Sequence, residues 1–141
     1  MASKKLIAER LAAVPMFDRC TKRDIRTIAR HAETATLAAE STVIVEGEPG
    51  ETFFLVIEGT VSVSQAGIET TVLGPGAHFG ELALLDPAPR SATVTAVTEV
   101  EVAALSLRMF RVLLRDMPQV ANGLLASLAD QLRRSRQAGS S

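Results

Sequence analysis

A short helix-forming segment, with a glycine before it and an arginine after it, carries the clearest chemical signal in this sequence. Gly80 precedes the run at 81–85, and its missing side chain lets another group approach the backbone. The free N–H groups and positive dipole end of such a helix start attract anions. Arg90 follows, and a guanidinium can hold a phosphate through two parallel hydrogen bonds. Together these groups suit a small anion with one charge, such as a cyclic phosphodiester.

Neighbouring residues refine this hypothesis. Glu81 can accept a hydrogen bond from a ribose hydroxyl, as acidic residues do in dinucleotide-binding folds. A nucleoside triphosphate carries more charge and usually needs a lysine loop with magnesium, yet no G-x-x-x-x-G-K-[ST] motif occurs. Taken singly, the three residues have plainer explanations. Gly80 also fits a turn residue, Glu81 a first-turn acid and Arg90 a surface arginine.

The elements that must position this segment are predicted to be strands. Between about residues 35 and 107 the sequence is rich in Val, Ile, Thr and Phe, mostly alternating with polar residues and punctuated by glycines. No helix of useful length separates these runs, which argues against a parallel α/β sheet. We therefore expect a closed antiparallel β-roll at about residues 35–107. The predicted strands are 41–45, 52–57, 60–64, 69–73, 91–98 and 101–107.

Helices are predicted on both sides of the roll. Apolar residues recur at helical spacing before Pro15 and again after Thr21, which predicts two short helices within about residues 4–31. Pro118 suits the first turn of a long helix, so C-terminal helices are expected at about residues 108–136. The apolar face of that helix contains Val120, Leu124, Leu125, Leu128 and Leu132. We expect residues 1–141 to form a single domain.

Composition narrows the class of protein. The net charge is −1 and neither Trp nor Tyr occurs, so general affinity for nucleic acid or for an anionic membrane is not indicated. Cys20 is the sole cysteine, which excludes an intrachain disulfide and fits a reducing compartment. The sequence has no signal-peptide core and no apolar run of membrane length. We expect a cytoplasmic protein.

The anion-binding segment resembles the phosphate-binding cassette of the cyclic nucleotide-binding domain family. The family pattern is approximately F-G-E-[LMI]-[AG]-L followed by R-[AST]-A-T-V, and residues 79–84 and 90–94 match it. The similarity extends to V-I-V-E-G-E-P-G at 43–50, to residues 53–59 and to L-G-P-G at 73–76. It implies a mainly β fold, an eight-stranded antiparallel β-roll or jelly roll, with N-terminal helices and a C-terminal helical lid.

This resemblance also implies a role for individual residues. Backbone groups of Gly80, Leu82 and Ala83 would contact the phosphate and sugar. Glu81 would hold the ribose 2′-hydroxyl and Arg90 the cyclic phosphate. Ser91 would meet the phosphate or the purine edge, and a serine there leaves cAMP and cGMP open, with cAMP favoured. The implied ligand-binding set is Phe79, Gly80, Glu81, Leu82, Ala83, Arg90, Ser91 and Ala92, and the candidates for the lid are Leu124, Leu125 and Leu128.

The implied function is that of a cyclic nucleotide sensor of bacterial type, without enzymatic activity, cofactor or metal, that moves its C-terminal helices to regulate a fused or separate effector. It would be a stand-alone sensor or the sensory part of a larger protein.

Two alternatives stay open. A cupin-type enzyme also uses a β-roll, but it needs clustered metal ligands, and the two histidines are His31, in a predicted helix, and His78, in a predicted loop. A domain that has lost its ligand would instead serve in protein interaction or in dimerisation through the C-terminal helix.

Overall fold

Two antiparallel four-stranded sheets form the centre of the molecule in the computed structural model, which describes residues 3–80 and 86–139. The strands are β1 Glu33–Leu37, β2 Thr42–Ile44, β3 Pro49–Gly50, β4 Thr52–Glu58, β5 Val61–Gln65, β6 Ile68–Leu73, β7 His78–Phe79, β8 Ala88–Pro89, β9 Thr93–Ala96 and β10 Val100–Ser106. One sheet has the strand order β1-β10-β4-β7 and the other β2-β9-β5-β6, while β3 and β8 pair as a separate two-residue ribbon.

Helices precede and follow the sheets. The sequence begins with α1 (Lys4–Ala12), a 3₁₀ helix (Pro15–Phe17) and α2 (Lys22–His31), and it continues after β10 with α3 (Leu107–Asp116) and α4 (Pro118–Gly139). Mainly antiparallel β structure with helices on both sides confirms the predicted fold class. Within the described residues, no helix combines the length and the apolar character needed to cross a bilayer.

Serine and threonine side chains fix where the shorter helices begin. The Thr21 hydroxyl accepts a hydrogen bond from the Asp24 N–H at 3.1 Å, and Ser106 does the same for Met109 at 3.1 Å. Such N-caps satisfy backbone donors that would otherwise lack partners in the first turn. Thr21 was the residue at which the sequence predicted the second helix to begin.

Strand β4 has both faces buried. Phe53, Leu55 and Ile57 point into a core shared with the helices, whereas Val56 belongs to a second core between the two sheets. Because side chains alternate along a strand, this accounts for its unbroken apolar run. In the first core, the Phe17 ring packs edge-on against Phe53, with centroids 6.0 Å apart.

Helix α4 docks on the segment that joins the 3₁₀ helix to α2. Ser127 is fully buried, and its hydroxyl donates to the Asp18 carboxylate at 2.7 Å and accepts from the Arg19 N–H at 3.3 Å. One turn further on, Arg133 and Arg19 hydrogen-bond to Asp130 and lower the pKa of its carboxyl. Gly123 permits the close approach, since a methyl group there would lie 3.1 Å from the Arg19 carbonyl oxygen.

Cys20 lies in the same contact region and is half-buried. Burial, with smaller contributions from Asp24 and Asp18, raises the pKa of its thiol to about 11. At neutral pH the group is therefore a protonated thiol, which is a poor nucleophile. This agrees with packing as the role of Cys20.

We predict that Ser127→Ala lowers the free energy of unfolding by about 1–2 kcal/mol, because the Asp18 carboxylate and the Arg19 N–H both lose their partner. Ser135→Ala, at an exposed position of the same helix, is the matched control and should change stability by less than about 0.5 kcal/mol. Urea denaturation measures both. Equal stability of the two variants would show that the Ser127 contacts do not hold α4.

Candidate functional site

A cavity of about 400 Å³ opens beside strands β7, β8 and β9, and its volume lies within the range of small-molecule sites. It brings together five of the residues predicted to bind ligand: Phe79, Gly80, Arg90, Ser91 and Ala92. The predicted residues Glu81, Leu82 and Ala83 lie outside the described residues. The other lining residues are Ile44, His78, Asp86, Ala88, Pro89 and Val94.

The loop between β2 and β3 holds the backbone of Arg90 in place. The Arg90 N–H donates to the Glu48 carbonyl oxygen at 2.9 Å, and the Arg90 carbonyl accepts from the Gly47 N–H at 2.8 Å. The adjoining ribbon pairs Pro49 with Pro89. The resemblance at 43–50 therefore has a physical basis, since this loop orients the arginine.

Two glycines form a slot for the Arg90 side chain. A methyl group on Gly50 would overlap the guanidinium at Nε, and one on Gly80 would overlap it at Nη1. Gly80 also has φ +82°, a left-handed conformation that favours glycine. The slot therefore depends on glycine at both positions.

Polar and aromatic contacts complete the environment of the guanidinium. Nη2 donates to the Thr52 carbonyl oxygen at 2.7 Å, and the guanidinium carbon lies 5.9 Å from the centre of the Phe54 ring. Partial burial lowers the pKa of Arg90 from its usual value, yet a guanidinium keeps its proton at neutral pH. Among the described residues, no carboxylate forms an ion pair with it. Within residues 3–80 and 86–139, the contacts that position this charge are with neutral groups.

Strand β7 sets the position of Gly80. Phe79 pairs with Phe54 and His78 with Leu55, so Gly80 follows directly where β7 leaves β4. The prediction of a loop at His78 is wrong, because this residue pairs in β7 and its ring stacks on Phe53 with centroids 6.1 Å apart. A two-residue strand carries no alternation from which it could have been recognised.

The three candidate lid residues lie away from the cavity in this structure. Leu124 is 2% exposed and packs in the core shared by the helices and β4. Leu128 is half-buried and Leu125 is 65% exposed, and neither lines the cavity. The docking of α4 at Asp18 and Arg19 explains this placement.

Two residues that shape the site were not among the predicted ones. Gly50 forms one wall of the slot, and a signal for it was present because it ends the E-G-E-P-G match. Thr52 acts through its backbone carbonyl, for which the side-chain sequence gives no signal. Ile44 and Val94 contribute apolar side chains to the cavity wall. The strand pattern predicts that both residues lie in the roll, but it cannot predict that they line a cavity.

The comparison with protein families decides the relationship. The family described as "Cyclic nucleotide-binding domain" matches residues 34–117, more than half of the chain. The chain belongs to this family. The segment at 79–92 lies within the matched part.

Known relatives of the domain are regulatory proteins. It is 40% identical over 111 residues to a cyclic nucleotide-gated potassium channel of Mesorhizobium japonicum, an alignment that covers 79% of this chain and 31% of the channel. It is 30% identical over 132 residues to a CRP-like cAMP-activated global transcriptional regulator of Mycobacterium tuberculosis, covering 90% of this chain and 59% of the regulator. The chain therefore spans less than two thirds of either relative.

A solved structure matches nearly end to end. The N-terminal domain of a transcriptional regulator from Streptomyces coelicolor superposes with a TM-score of 0.86 at 34% identity, covering 92% of this chain and 96% of that one. The arrangement of helices and β-roll is thus that of a domain which occurs within a larger regulator.

The cupin alternative requires clustered metal ligands. In residues 3–80 and 86–139, no group of three His, Cys, Asp or Glu side chains is placed to hold a metal ion. His31 and His78 lie in α2 and β7, respectively.

We predict that Gly50→Ala lowers the free energy of unfolding by about 1 kcal/mol, because the new methyl group displaces the Arg90 guanidinium from its hydrogen bond to the Thr52 carbonyl. Gly74→Ala is the matched control, since neither glycine has a positive φ and a methyl group at Gly74 meets open space. Denaturant titration compares the two. An equal loss in both variants would contradict the slot.

Proposed function

We propose that this domain is a sensor without enzymatic activity that binds cAMP in the cavity at Arg90 and regulates an effector, fused or separate, through its C-terminal helices. The observation that carries this proposal is the Arg90 guanidinium held between Gly50 and Gly80 at the cavity wall. In the proposal, residues 1–141 act as one cytoplasmic unit.

The charge of the site favours a ligand with one negative charge. Arg90 is the only lysine or arginine among the described residues that line the cavity, and Asp86 adds a carboxylate. A cyclic phosphodiester carries one charge, which a single guanidinium can pair in bidentate geometry. A di- or triphosphate would leave charge uncompensated in a partly buried site. Family resemblance adds the amides of Gly80, Leu82 and Ala83 as phosphate donors.

The remaining cavity wall suits a nucleoside. Ile44 and Val94 are buried apolar residues that would contact the base, with Phe79 and Ala92 beside them. Ser91 is exposed at the rim, so its hydroxyl can reach a phosphate or a purine edge. Glu81 is assigned the ribose 2′-hydroxyl by the family pattern. The preference for cAMP over cGMP is supported by the cAMP-activated relative.

The proposed response is a shift between two positions of α4. In the present position Leu124 is buried in the helical core and Ser127 bonds to Asp18. Ligand binding would draw the cassette inward, and Leu84 and Leu85 at its far end would pass this movement to α3. Helix α4 would then bring its leucines over the base. A ligand shifts such an equilibrium only by its difference in affinity for the two states.

A homodimer through α4 is compatible with this response. Leu125 and Leu132 are 65% and 62% exposed and lie seven residues apart, hence on one face of the helix. In the proposal this face meets a second copy, or the effector, when α4 changes position.

We predict that Arg90→Ala weakens cAMP binding by about 2–5 kcal/mol, which raises the Kd by about 30-fold or more, because the phosphate loses its charge partner. Isothermal titration calorimetry measures the change. Arg111→Ala, an exposed arginine on α3, should leave the Kd within about twofold. Wild-type affinity in Arg90→Ala would defeat the assignment of the phosphate site.

Thermal unfolding with different nucleotides separates a sensor from a domain that has lost its ligand. At about 100 times its Kd, cAMP should add about 2.7 kcal/mol of stability and raise Tm by about 5–10 °C. We expect a smaller rise with cGMP and none with 5′-AMP, whose open phosphate carries more charge. No shift with any cyclic nucleotide would favour an interaction module.

A further inference from the structure

A second depression, of about 610 Å³, lies between α1 and α2 and shares no lining residue with the nucleotide cavity. The two helices run antiparallel. At one end, Lys4 near the start of α1 donates from Nζ to the carbonyl oxygens of Ala29 and Ala32, at 3.1 and 3.0 Å, where α2 ends. We call this depression the helical groove. Lys4 closes one end of it and fixes the two helices relative to each other.

The floor of the helical groove is apolar and built largely of small residues. Ala8 and Ala12 contribute from α1, Ile25 from α2, and Cys20 from the segment between them. Ile25 is 4% exposed, so the largest apolar group of the floor is recessed rather than projecting. Short side chains on α1 keep the space between the helices open.

A line of positive charge borders the groove on the α2 side. Lys22, Arg26 and Arg30 are exposed and follow one another at intervals of four residues, so they share one face along about 12 Å of helix. Lys5 faces them from α1. Glu9 is the only acidic residue among the described lining residues. Since the whole chain has a net charge of −1, this concentration of cations is local.

This arrangement destabilises α2 on its own. Like charges four residues apart on a helix repel each other. The helix dipole disfavours Lys22 in the first turn and favours Arg30 in the last turn, so these two effects offset each other and the repulsion remains. Within the described part of the chain, none of the three forms an ion pair, and the side chain of Arg30 donates to the Thr27 hydroxyl at 3.1 Å. An anionic partner along the groove would relieve the repulsion.

We propose that the helical groove docks an acidic amphipathic helix of a partner protein. Carboxylates at positions i, i+4 and i+8 of that helix would pair with Lys22, Arg26 and Arg30, and its small apolar residues would cover the floor. The carboxylates of the partner helix then have the same four-residue spacing as the cations of α2. This interaction does not require the cyclic nucleotide site.

The helical groove suits an acidic helix better than it suits an anionic membrane or a nucleic acid. A membrane-binding surface projects large apolar side chains between its cations, whereas the apolar residues here are recessed. Single-stranded nucleic acid binds through stacking on aromatic rings, and no described lining residue is aromatic. A duplex presents phosphates but has nothing to place on an apolar floor.

The test uses a display library of helical peptides that are randomised on one face. Binding peptides are selected from this library separately against wild type and against the variant Lys22→Gln/Arg26→Gln/Arg30→Gln. The matched control is Arg23→Gln/Arg108→Gln/Arg111→Gln, which removes the same number of exposed charges outside the groove. Fluorescence anisotropy then measures the selected peptides at about 0.15 M salt.

We expect peptides selected on wild type to carry Asp or Glu at i, i+4 and i+8. Their Kd should rise at least about tenfold for the groove variant and stay within about twofold for the control. Peptides with Lys at those positions should in turn bind the Lys22→Glu/Arg26→Glu/Arg30→Glu variant. The proposal is overturned by the absence of this acidic pattern or by equal losses in both variants. It is also overturned if duplex DNA or phosphatidylserine vesicles bind the groove more tightly than the peptides.

A measurement of Tm checks that the Gln variant is folded. Removal of the repulsion predicts that the Gln variant melts about 1–4 °C above wild type at low salt, with a smaller difference at high salt. A folded variant with a lower Tm would contradict the repulsion and overturn the proposal. If the triple variant does not fold, Arg26→Gln alone supplies the binding comparison. Because these readouts use no nucleotide, their failure and that of the Arg90 experiment are distinguishable.

Discussion

The hydrogen bond from Arg90 Nη2 to the Thr52 carbonyl oxygen is the contact around which the site is built. It requires glycine at both Gly50 and Gly80, because any side chain would occupy the space of the guanidinium. It also requires the backbone of Arg90 to be fixed by the loop at Gly47 and Glu48. The two glycines and the loop, which belong to the sequence motif, thus all position the Arg90 guanidinium. The strands of the surrounding roll hold these groups in fixed positions relative to one another.

Much of the fold followed from local patterns. The alternation of residues in β5, β6 and β10 and the β-forming apolar run of β4 predicted these strands, and Thr21 predicted where α2 begins. The two-residue strands could not be predicted, since β3, β7 and β8 are too short for a period to be visible. They exist because the roll holds their partners in place, which is a tertiary effect.

The site was predictable where it depends on side chains and obscure where it depends on the backbone. Arg90 and Gly80 stood out by type and spacing, and the structure places both at one cavity. Thr52 contributes a carbonyl that every residue possesses, so its identity gives no hint. The position of Leu124 depends on whether α4 docks on Asp18 and Arg19 or elsewhere. A single apolar face of the helix serves either arrangement, and the sequence cannot choose between them.

The carbonyl of Thr52 has a bearing on reversibility. The guanidinium has a hydrogen-bond acceptor in this carbonyl, so its partly buried charge has a polar partner within the protein itself. In the proposed function, an anion that binds would gain only the difference between its attraction to the guanidinium and the stabilisation that the Thr52 carbonyl already gives. In the proposed function this would moderate the affinity and favour rapid release, as a sensor that follows changing concentrations requires.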